Sequence, residues 1–268
     1  MATADADPFA KFKAAQREAW SVFAPVEVTT TIPAAKLVKF AQIGPGQKVL
    51  DVACGTGVVA VTAALIGAKV AGLDLTPVLI ERAQQNAATA GVDIDFIEGD
   101  AEVLPYPDAA FDVVVSQFGH IFAPRPAVVT KEMLRVLRPG GRIAFSTWPP
   151  DSLPGRLFAF VARHVPPPPG AEPPAQWGDP NVIRERLGAA VTDLVFDRAT
   201  LVIPTLSPAH FRAAQEKTIG PLTKLVEAAK DDPAKLAKLR GEFDAMARTV
   251  LDGNAAHLHF IMTRAVKA

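Results

Sequence analysis

The sequence predicts an α/β fold, a parallel sheet covered by helices on both faces, on three observations. Short apolar runs alternate with amphipathic ones over residues 48–148. The stretch "KVLDVACGTGVVA", residues 48–60, joins an apolar strand to an apolar helix through Gly55 and Gly57. Apolar residues make up 49% of the 268, enough to bury a sheet on both sides.

Each element follows from local pattern. Phe9, Phe12, Gln16, Ala19, Trp20 and Phe23 recur at helical spacing, and "IPAAKLVKFAQI" predicts a second helix that ends at the turn "GPGQ". Val49, Leu50, Val52 and Ala53 read as a buried strand and residues 58–65 as a helix. Between them Gly55 and Gly57 permit positive φ and let a ligand approach N–H groups that no helical carbonyl satisfies. "AKVAGLD" is a strand, followed by the helix "TPVLIERAQQNAATAG", with Thr76 as cap, Pro77 in the first turn and Gly91 as stop. "IDFIEGD", "FDVVVS", "PAVVTKEMLRVL", the turn "RPGG" and "GRIAFSTW" continue the alternation to Trp148. On such sheets ligands sit outside the carboxyl ends of the strands.

From Pro149 the texture changes. The proline-rich stretch up to Pro180 contains one helix, residues 153–165, and the run 166–169 is a stiff connector. "DPNVIRERLGAA" gives a short helix and "DLVFDRATLVIP" a strand. Further helices fill residues 208–253, the last with Asp232 as cap, Pro233 in its first turn and a core-facing stripe of Leu236, Leu239, Phe243, Met246 and Val250. "AHLHFIMTRAVKA" closes the chain as a strand. The organisation expected is an N-terminal helical cap (1–45), a cofactor-binding core (46–148), and a last segment (149–268) that completes the sheet and carries an inserted helical substrate cap.

Charge narrows the partners. Lys plus Arg and Asp plus Glu number 28 each, so neither nucleic acid nor an anionic membrane is an expected partner. "MATADADPFAKFKAA" has early acids and no apolar h-region, and no window offers the ~18 uninterrupted apolar residues of a membrane span, so a soluble, cytoplasmic protein is expected. The single cysteine, Cys54, leaves no disulfide framework and no thiolate cluster, and no metal is expected.

The glycine turn has two readings. Gly55, Gly57 and Ala60 fit the dinucleotide pattern G-x-G-x-x-G/A, and Asp74 follows Asp51 at the distance of a ribose-binding acid, which keeps a nicotinamide oxidoreductase as an alternative. Electrostatics opposes it, because Asp51 stands where a pyrophosphate would sit, and like charges in a partly dry site cost on the order of a kcal/mol or more. A ligand with an ammonium and a sulfonium gains from Asp51, and its adenosine still offers a ribose diol to Asp74 and an adenine edge to Asp100 and the Ala101 N–H. S-adenosylmethionine has these parts. Asp51, Asp74 and Asp100 follow three consecutive strands with no Lys or Arg in the adjacent turns.

"VLDVACGTG", "GLDLT", "FIEGDAEVLPYPDAAFDVVVSQFGHIF" and "LRVLRPGGRIAFSTW", in this order over about residues 46–148, resemble the class I S-adenosylmethionine-dependent methyltransferases, of the small-molecule type related to the ubiquinone and menaquinone biosynthesis enzymes. The resemblance implies a Rossmann-like, doubly wound, seven-stranded sheet whose last strand is antiparallel. It implies that Ala53 and Gly55 bind the methionine part through backbone, that Asp51 holds its amino end, that Asp74 takes the ribose hydroxyls and that Leu75 flanks the adenine. It places Asp100 and Ala101 at the adenine edge, and Ser116 and Gln117 beside the methionine moiety. Cys54 is a small turn residue in this reading.

Methyl transfer from a sulfonium needs in-line alignment and water exclusion, and a base only where the acceptor must lose a proton. His120, in "SQFGHIF", is the candidate base; its competing role is a pocket wall. His257 and His259 share a strand face without a third ligand, and His164 and His210 stand at helix ends. The acceptor pocket is expected from Trp20, Phe23, Phe118, Phe122, Trp177 and the helices of 208–253, favouring a small, mostly apolar or aromatic acceptor, methylated on O before N or C. S-adenosylhomocysteine is then the product. The non-enzymatic alternative is a protein that binds S-adenosylmethionine without turnover. Oligomeric state, acceptor and pathway are open at this stage.

Overall fold

The computed structural model describes residues 7–268; residues 1–6, which open the expected N-terminal cap and carry its first acid, lie outside the described residues. Two helices precede the sheet, α1 (Ala10–Trp20) and α2 (Glu27–Phe40), with a 3₁₀ turn at Ala24–Val26 between them. The second helix reaches back to Glu27, beyond the expected start at Ile32. The Thr29, Thr30 and Thr31 hydroxyls donate to carbonyls three residues earlier, which makes a threonine run compatible with a helix.

The alternating core is as the sequence predicts: β1 (Lys48–Val52), α3 (Val58–Leu65), β2 (Lys69–Asp74), α4 (Pro77–Ala90), β3 (Ile94–Glu98), β4 (Phe111–Gln117), α5 (Pro126–Val136) and β5 (Leu137–Thr147). Thr76 occupies the N-cap of α4, but its side chain makes no cap bond; the Asp74 carboxylate accepts the Thr76 N–H instead. "RPGG" is not a separate turn. Phe111 pairs with Leu137 and Val113 with Arg142, so the intervening residues bulge out of β5, with Gly140 at φ 71°.

The rest of the chain supplies α6 (Leu153–His164), α7 (Pro180–Leu187), β6 (Val191–Pro204), α8 (Pro208–Thr218), α9 (Gly220–Ala228), α10 (Pro233–Arg248), β7 (Leu251–Asp252) and β8 (Ala255–Lys267). Strand order is β3-β2-β1-β4-β5-β8-β6, with β8 antiparallel to both neighbours. That gives the expected seven strands with an antiparallel last one. The two-residue β7 adds a hairpin at the start of β8, which sequence reading missed because two residues carry no period.

Side chains alternate between two apolar layers with period two. Val49, Val113, Val115 and Ala144 pack with Leu37, Val59 and Ile80 of α2, α3 and α4, whereas Leu50, Val52, Val114, Ile143 and Phe145 pack on the other face with Val129 and Phe160 of α5 and α6. The chain leaves β1 toward β2 on one side, while β4 lies on the other. This switch point opens a crevice at the strands' carboxyl ends.

The crevice is roofed from both directions of the chain. α1 and α9 approach so closely that a Cβ on Gly220 would stand 2.2 Å from the Ala19 carbonyl oxygen. Lys224 of α9 donates to the Ala15 carbonyl at 2.9 Å, and Gln16 of α1 donates to the Phe122 carbonyl at 3.0 Å. Gly220→Ala must push two backbones apart and is expected to cost about 1–3 kcal/mol, the scale of an overpacked core. Chemical unfolding of the variant beside the parent measures it; an unchanged midpoint would show that the helices separate freely.

Candidate active site

Asp51 lies near the end of β1 and Asp74 ends β2; both are buried. Asp51 Oδ2 accepts the Ala60 N–H at 3.1 Å, and Asp51 Oδ1 has no partner. Asp74 Oδ2 accepts the Gly55 N–H at 2.8 Å and Oδ1 the Thr76 N–H at 2.9 Å. Neither carboxylate forms an ion pair among the described residues. Burial, with the Asp74 charge adding to it, pushes the Asp51 carboxyl up from its ordinary 3.8 to about 8. Burial raises Asp74 as well, against the backbone N–H groups of Thr76, Gly55 and Leu75 that favour its charged form. Cys54, buried in the same turn, has its thiol pushed well up by burial and the two acids.

The turn is strained where it faces the crevice. Ala53 holds φ 54° and Phe118, after β4, φ 60°. A Cβ on Gly119 would lie 2.5 Å from the Ala53 carbonyl oxygen, so the ends of β1 and β4 meet without room for a side chain. Gly55 (φ 55°) is different: an added Cβ meets only Phe23, at 4.0 Å, and would fill the cradle itself. Gly57 (φ 77°) is held by packing, its Cβ position lying 2.8 Å from Phe96 Cζ.

A cavity of about 210 Å³ runs from this turn across the sheet's carboxyl end. Asp51, Ala53, Gly55, Asp74, Leu75, Asp100, Ala101, Gln117 and His120 all line it. Gly57 and Ser116 do not. The Ser116 hydroxyl donates to the Val52 carbonyl at 2.6 Å and accepts the His120 N–H at 3.2 Å, so it ties the ends of β1 and β4 together and is turned away from the position beside a ligand that the resemblance implied. Trp177 also departs from expectation. It is 2% exposed and lies behind the wall, against His120 (4.6 Å between ring centroids) and Phe145, with the Arg186 guanidinium over its ring.

Asp100 carries the largest surprise. Its Oδ2 accepts from Lys13 Nζ at 2.6 Å and its Oδ1 from the Glu102 N–H. Lys13, in α1, also pairs with Asp7 at 2.7 Å and with Glu102, whose side chain is fully buried and pairs in turn with Arg125. Burial works against the Lys13 charge, but the hydrogen bonds it donates to Asp100, Asp7 and Glu102 outweigh it and hold its pKa above the ordinary value. The adjacent turns hold no cation, as the sequence shows; a distant helix supplies one. A lysine on a helix face carries no sign of its partner, so this residue was out of reach of sequence reading.

His120 is buried, and neither ring nitrogen has a hydrogen-bond partner among the described residues. Burial, helped by the Arg186 charge, lowers it to about 3, so the ring is neutral through the physiological range. Beyond it the cavity wall comes from the β5-β8-β6 side: Trp148, Leu157, Leu201, Phe211, Phe243 and Leu258. Trp148 stacks on Phe118 with centroids 4.1 Å apart. None of the other four histidines lines the cavity; His259 Nδ1 meets the Thr200 hydroxyl and His210 Nδ1 the Ser207 hydroxyl.

The fold and the carboxylate-lined turn define the class I S-adenosylmethionine-dependent methyltransferases, and the chain belongs to this family. A family profile described as a methyltransferase domain matches residues 50–145. The uncharacterized protein Rv1403c of Mycobacterium tuberculosis is 34% identical over 85% of this chain and 84% of its own. A demethylmenaquinone methyltransferase of Deinococcus radiodurans is 40% identical over 47% of this chain and 54% of its own. Among solved structures, the Bacillus YcgJ protein shares the fold at a TM-score of 0.60 and 20% identity, covering 87% of this chain and 97% of its own.

The residues present fit the family's cofactor, S-adenosylmethionine. Asp51 Oδ1 is an orphaned buried acceptor suited to a cation, and the space over Gly55 is one that a Cβ would fill. When bound, the cofactor supplies an electrophilic methyl group.

The raised Asp51 pKa has a signed consequence. A carboxyl whose folded value lies above its unfolded one stabilises the fold fully below the unfolded value, about 4, and loses that contribution as pH rises to about 8. Asp51→Asn cannot ionise. Relative to the parent, its ligand-free stability should improve steadily from pH 5 to pH 8 in urea titrations, and its affinity for S-adenosylhomocysteine should fall at least tenfold. A stability difference that does not vary with pH would show that Asp51 is ionised at low pH in the fold.

Proposed function

We propose that this chain methylates a small, mostly apolar or aromatic acceptor held at the β5-β8-β6 end of the cavity, with the cofactor at the β1-β2-β3 end. The observation that carries the reading is one continuous cavity with unlike ends, buried carboxylates over the glycine turn and aromatic and aliphatic walls opposite. Asp51 orients the cofactor's amino group, Asp74 its ribose hydroxyls, and Leu75, Ala101 and the rim of Asp100 its adenine. Ala53 and Gly55 offer backbone groups, and Gln117, whose Nε2 donates to the Thr30 carbonyl, leaves Oε1 unpartnered for a second donor. Residues 7–45 and the helices of 208–253 act as one cap that excludes water. In this arrangement catalysis is alignment, which supplies up to about 7–11 kcal/mol in favourable systems.

The geometry supports His120 as a wall of the cavity rather than as a base. A group that titrates near 3, with both nitrogens shielded, is a weak proton acceptor at neutral pH. His120→Phe, which keeps the contacts with Phe145 and Trp177, should hold turnover within about threefold once an acceptor is in hand. A loss of 100-fold or more, the usual scale of a missing base, would restore the catalytic role.

The cofactor half is tested by calorimetric titration with S-adenosylhomocysteine and with NADH. Micromolar binding of the first, weakened at least tenfold in Asp74→Ala, and none of the second is the expected outcome. NADH binding alone would return the dinucleotide reading. Cofactor binding without methyl transfer across thiols, phenols, amines and quinones would favour a binding protein.

A further inference from the structure

The acceptor end of the cavity is chemically one-sided. The titratable side chains on the whole cavity wall are Lys13, Asp51, Cys54, Asp74, Asp100 and His120. Asp51, Cys54, Asp74 and Asp100 stand at the ends of β1, β2 and β3, and Lys13 is tied to Asp100. On the β5-β8-β6 side the wall is Trp148, Leu153, Leu157, Leu201, Phe211 and Phe243 with their apolar neighbours, and the polar side chain among them is Gln215. No carboxylate, histidine, lysine or arginine lines that side among the described residues.

This matters because methyl transfer changes charge. A neutral nucleophile such as an amine or thioether becomes a cation as it takes the methyl, and an unpaired cation in an apolar wall is costly. An amine or alcohol that must lose a proton needs an acceptor for it, and the histidine on the cavity wall, His120, has both nitrogens shielded. An anionic nucleophile needs neither. Its charge cancels against the sulfonium, and an apolar wall favours a transition state less charged than the separate ions.

We infer that the acceptor is an apolar molecule with an acidic S–H or O–H, a thiol or an acidic phenol, that reacts as its own anion without a protein base. The inference rests on the methyltransferase reading above and narrows its acceptor. In the step, a lone pair on the acceptor's sulfur or oxygen forms the bond to the methyl carbon. The carbon–sulfonium bond breaks, its electron pair stays on the departing sulfur, and S-adenosylhomocysteine leaves neutral. The acceptor's proton has already gone to solvent, so no proton moves in the site. Gln215 offers an amide for hydrogen bonding, not a charge.

Two measurements test this on the full chain. The first reads binding, not turnover: 4-nitrophenol, whose anion is coloured, is titrated into protein saturated with S-adenosylhomocysteine or with sinefungin, which carries an ammonium near the sulfonium position. The anion should bind at least tenfold more tightly beside sinefungin, and the ionisation of the bound phenol should move to lower pH there than beside S-adenosylhomocysteine. Equal binding of the anion in both complexes overturns the inference.

The second follows kcat/KM against pH for substituted thiophenols, phenols and anilines. The acid limb should move with each acceptor's own pKa, and anilines should be poor. A limb fixed across the acceptors, preferred methylation of amines, or no methylation of any thiol or phenol by cofactor-bound protein overturns it. Gln215→Glu sets a carboxylate on that side and should weaken nitrophenolate binding at least tenfold relative to the variant's own affinity for sinefungin; unchanged anion binding counts against the inference. Failure to bind S-adenosylhomocysteine at all would instead sink the methyltransferase reading, so the two failures are separable.

Discussion

The Asp51 and Asp74 carboxylates are out of water on adjacent strands, and among the described residues no cationic side chain pairs with either. Backbone N–H groups from Gly55, Ala60 and Thr76 hold them. A pair of this kind is tolerated only while protons or a cation neutralise it, because the effective penalty for a buried ion is several kcal/mol. The raised pKa values and the unpartnered Asp51 Oδ1 are thus one property, a buried turn short of positive charge. The glycine turn, the start of α3 and the cap of α4 all take their positions from hydrogen bonds to these two side chains.

The next acids along the sheet edge are treated oppositely. Asp100 and Glu102 meet Lys13 and Arg125, and Asp7 closes the group at 3.2 Å from Arg125. Removing one member of a buried pair costs about 3–5 kcal/mol because it strands its partner. The network therefore does more than neutralise Asp100: it fixes α1 over the β3 end of the crevice. Two acid clusters at neighbouring strand ends are treated differently, the inner one left without a cationic partner among the described residues and the outer one spent on holding the roof.

The core was legible because it is local. Strands β1 to β5 are short apolar runs, and Asp51, Gly55, Asp74, Asp100 and Gln117 all fall just at or past strand ends, where chain order alone predicts a ligand. What escaped is non-local. Lys13 meets Asp100 across most of the first hundred residues, and the Gly220–Ala19 approach joins chain segments that no spacing connects. The resemblance sets Ser116 beside the methionine moiety, and Trp177 is expected at the acceptor pocket as an aromatic of the proline-rich connector, but strand alternation turns Ser116 inward, and the 3₁₀ segment Pro174–Gly178 buries Trp177 behind His120. For single side chains, the direction of the backbone outweighs proximity.

The two halves of the cavity touch at one strained place. Phe118 follows β4 at φ 60°, a conformation that costs a bulky residue about 1–3 kcal/mol, and Gly119 beside it lies against the Ala53 carbonyl of the cofactor turn. Stacking on Trp148 at 4.1 Å and an edge contact with Phe260 at 5.3 Å, each worth about 0.5–1.5 kcal/mol, offset that cost. Trp148 itself lines the cavity. The backbone beside the Gly55 turn is therefore held by the same aromatic rings that wall the opposite end of the cavity, and a molecule seated against Trp148 would press on the one segment that also packs against the Ala53 carbonyl.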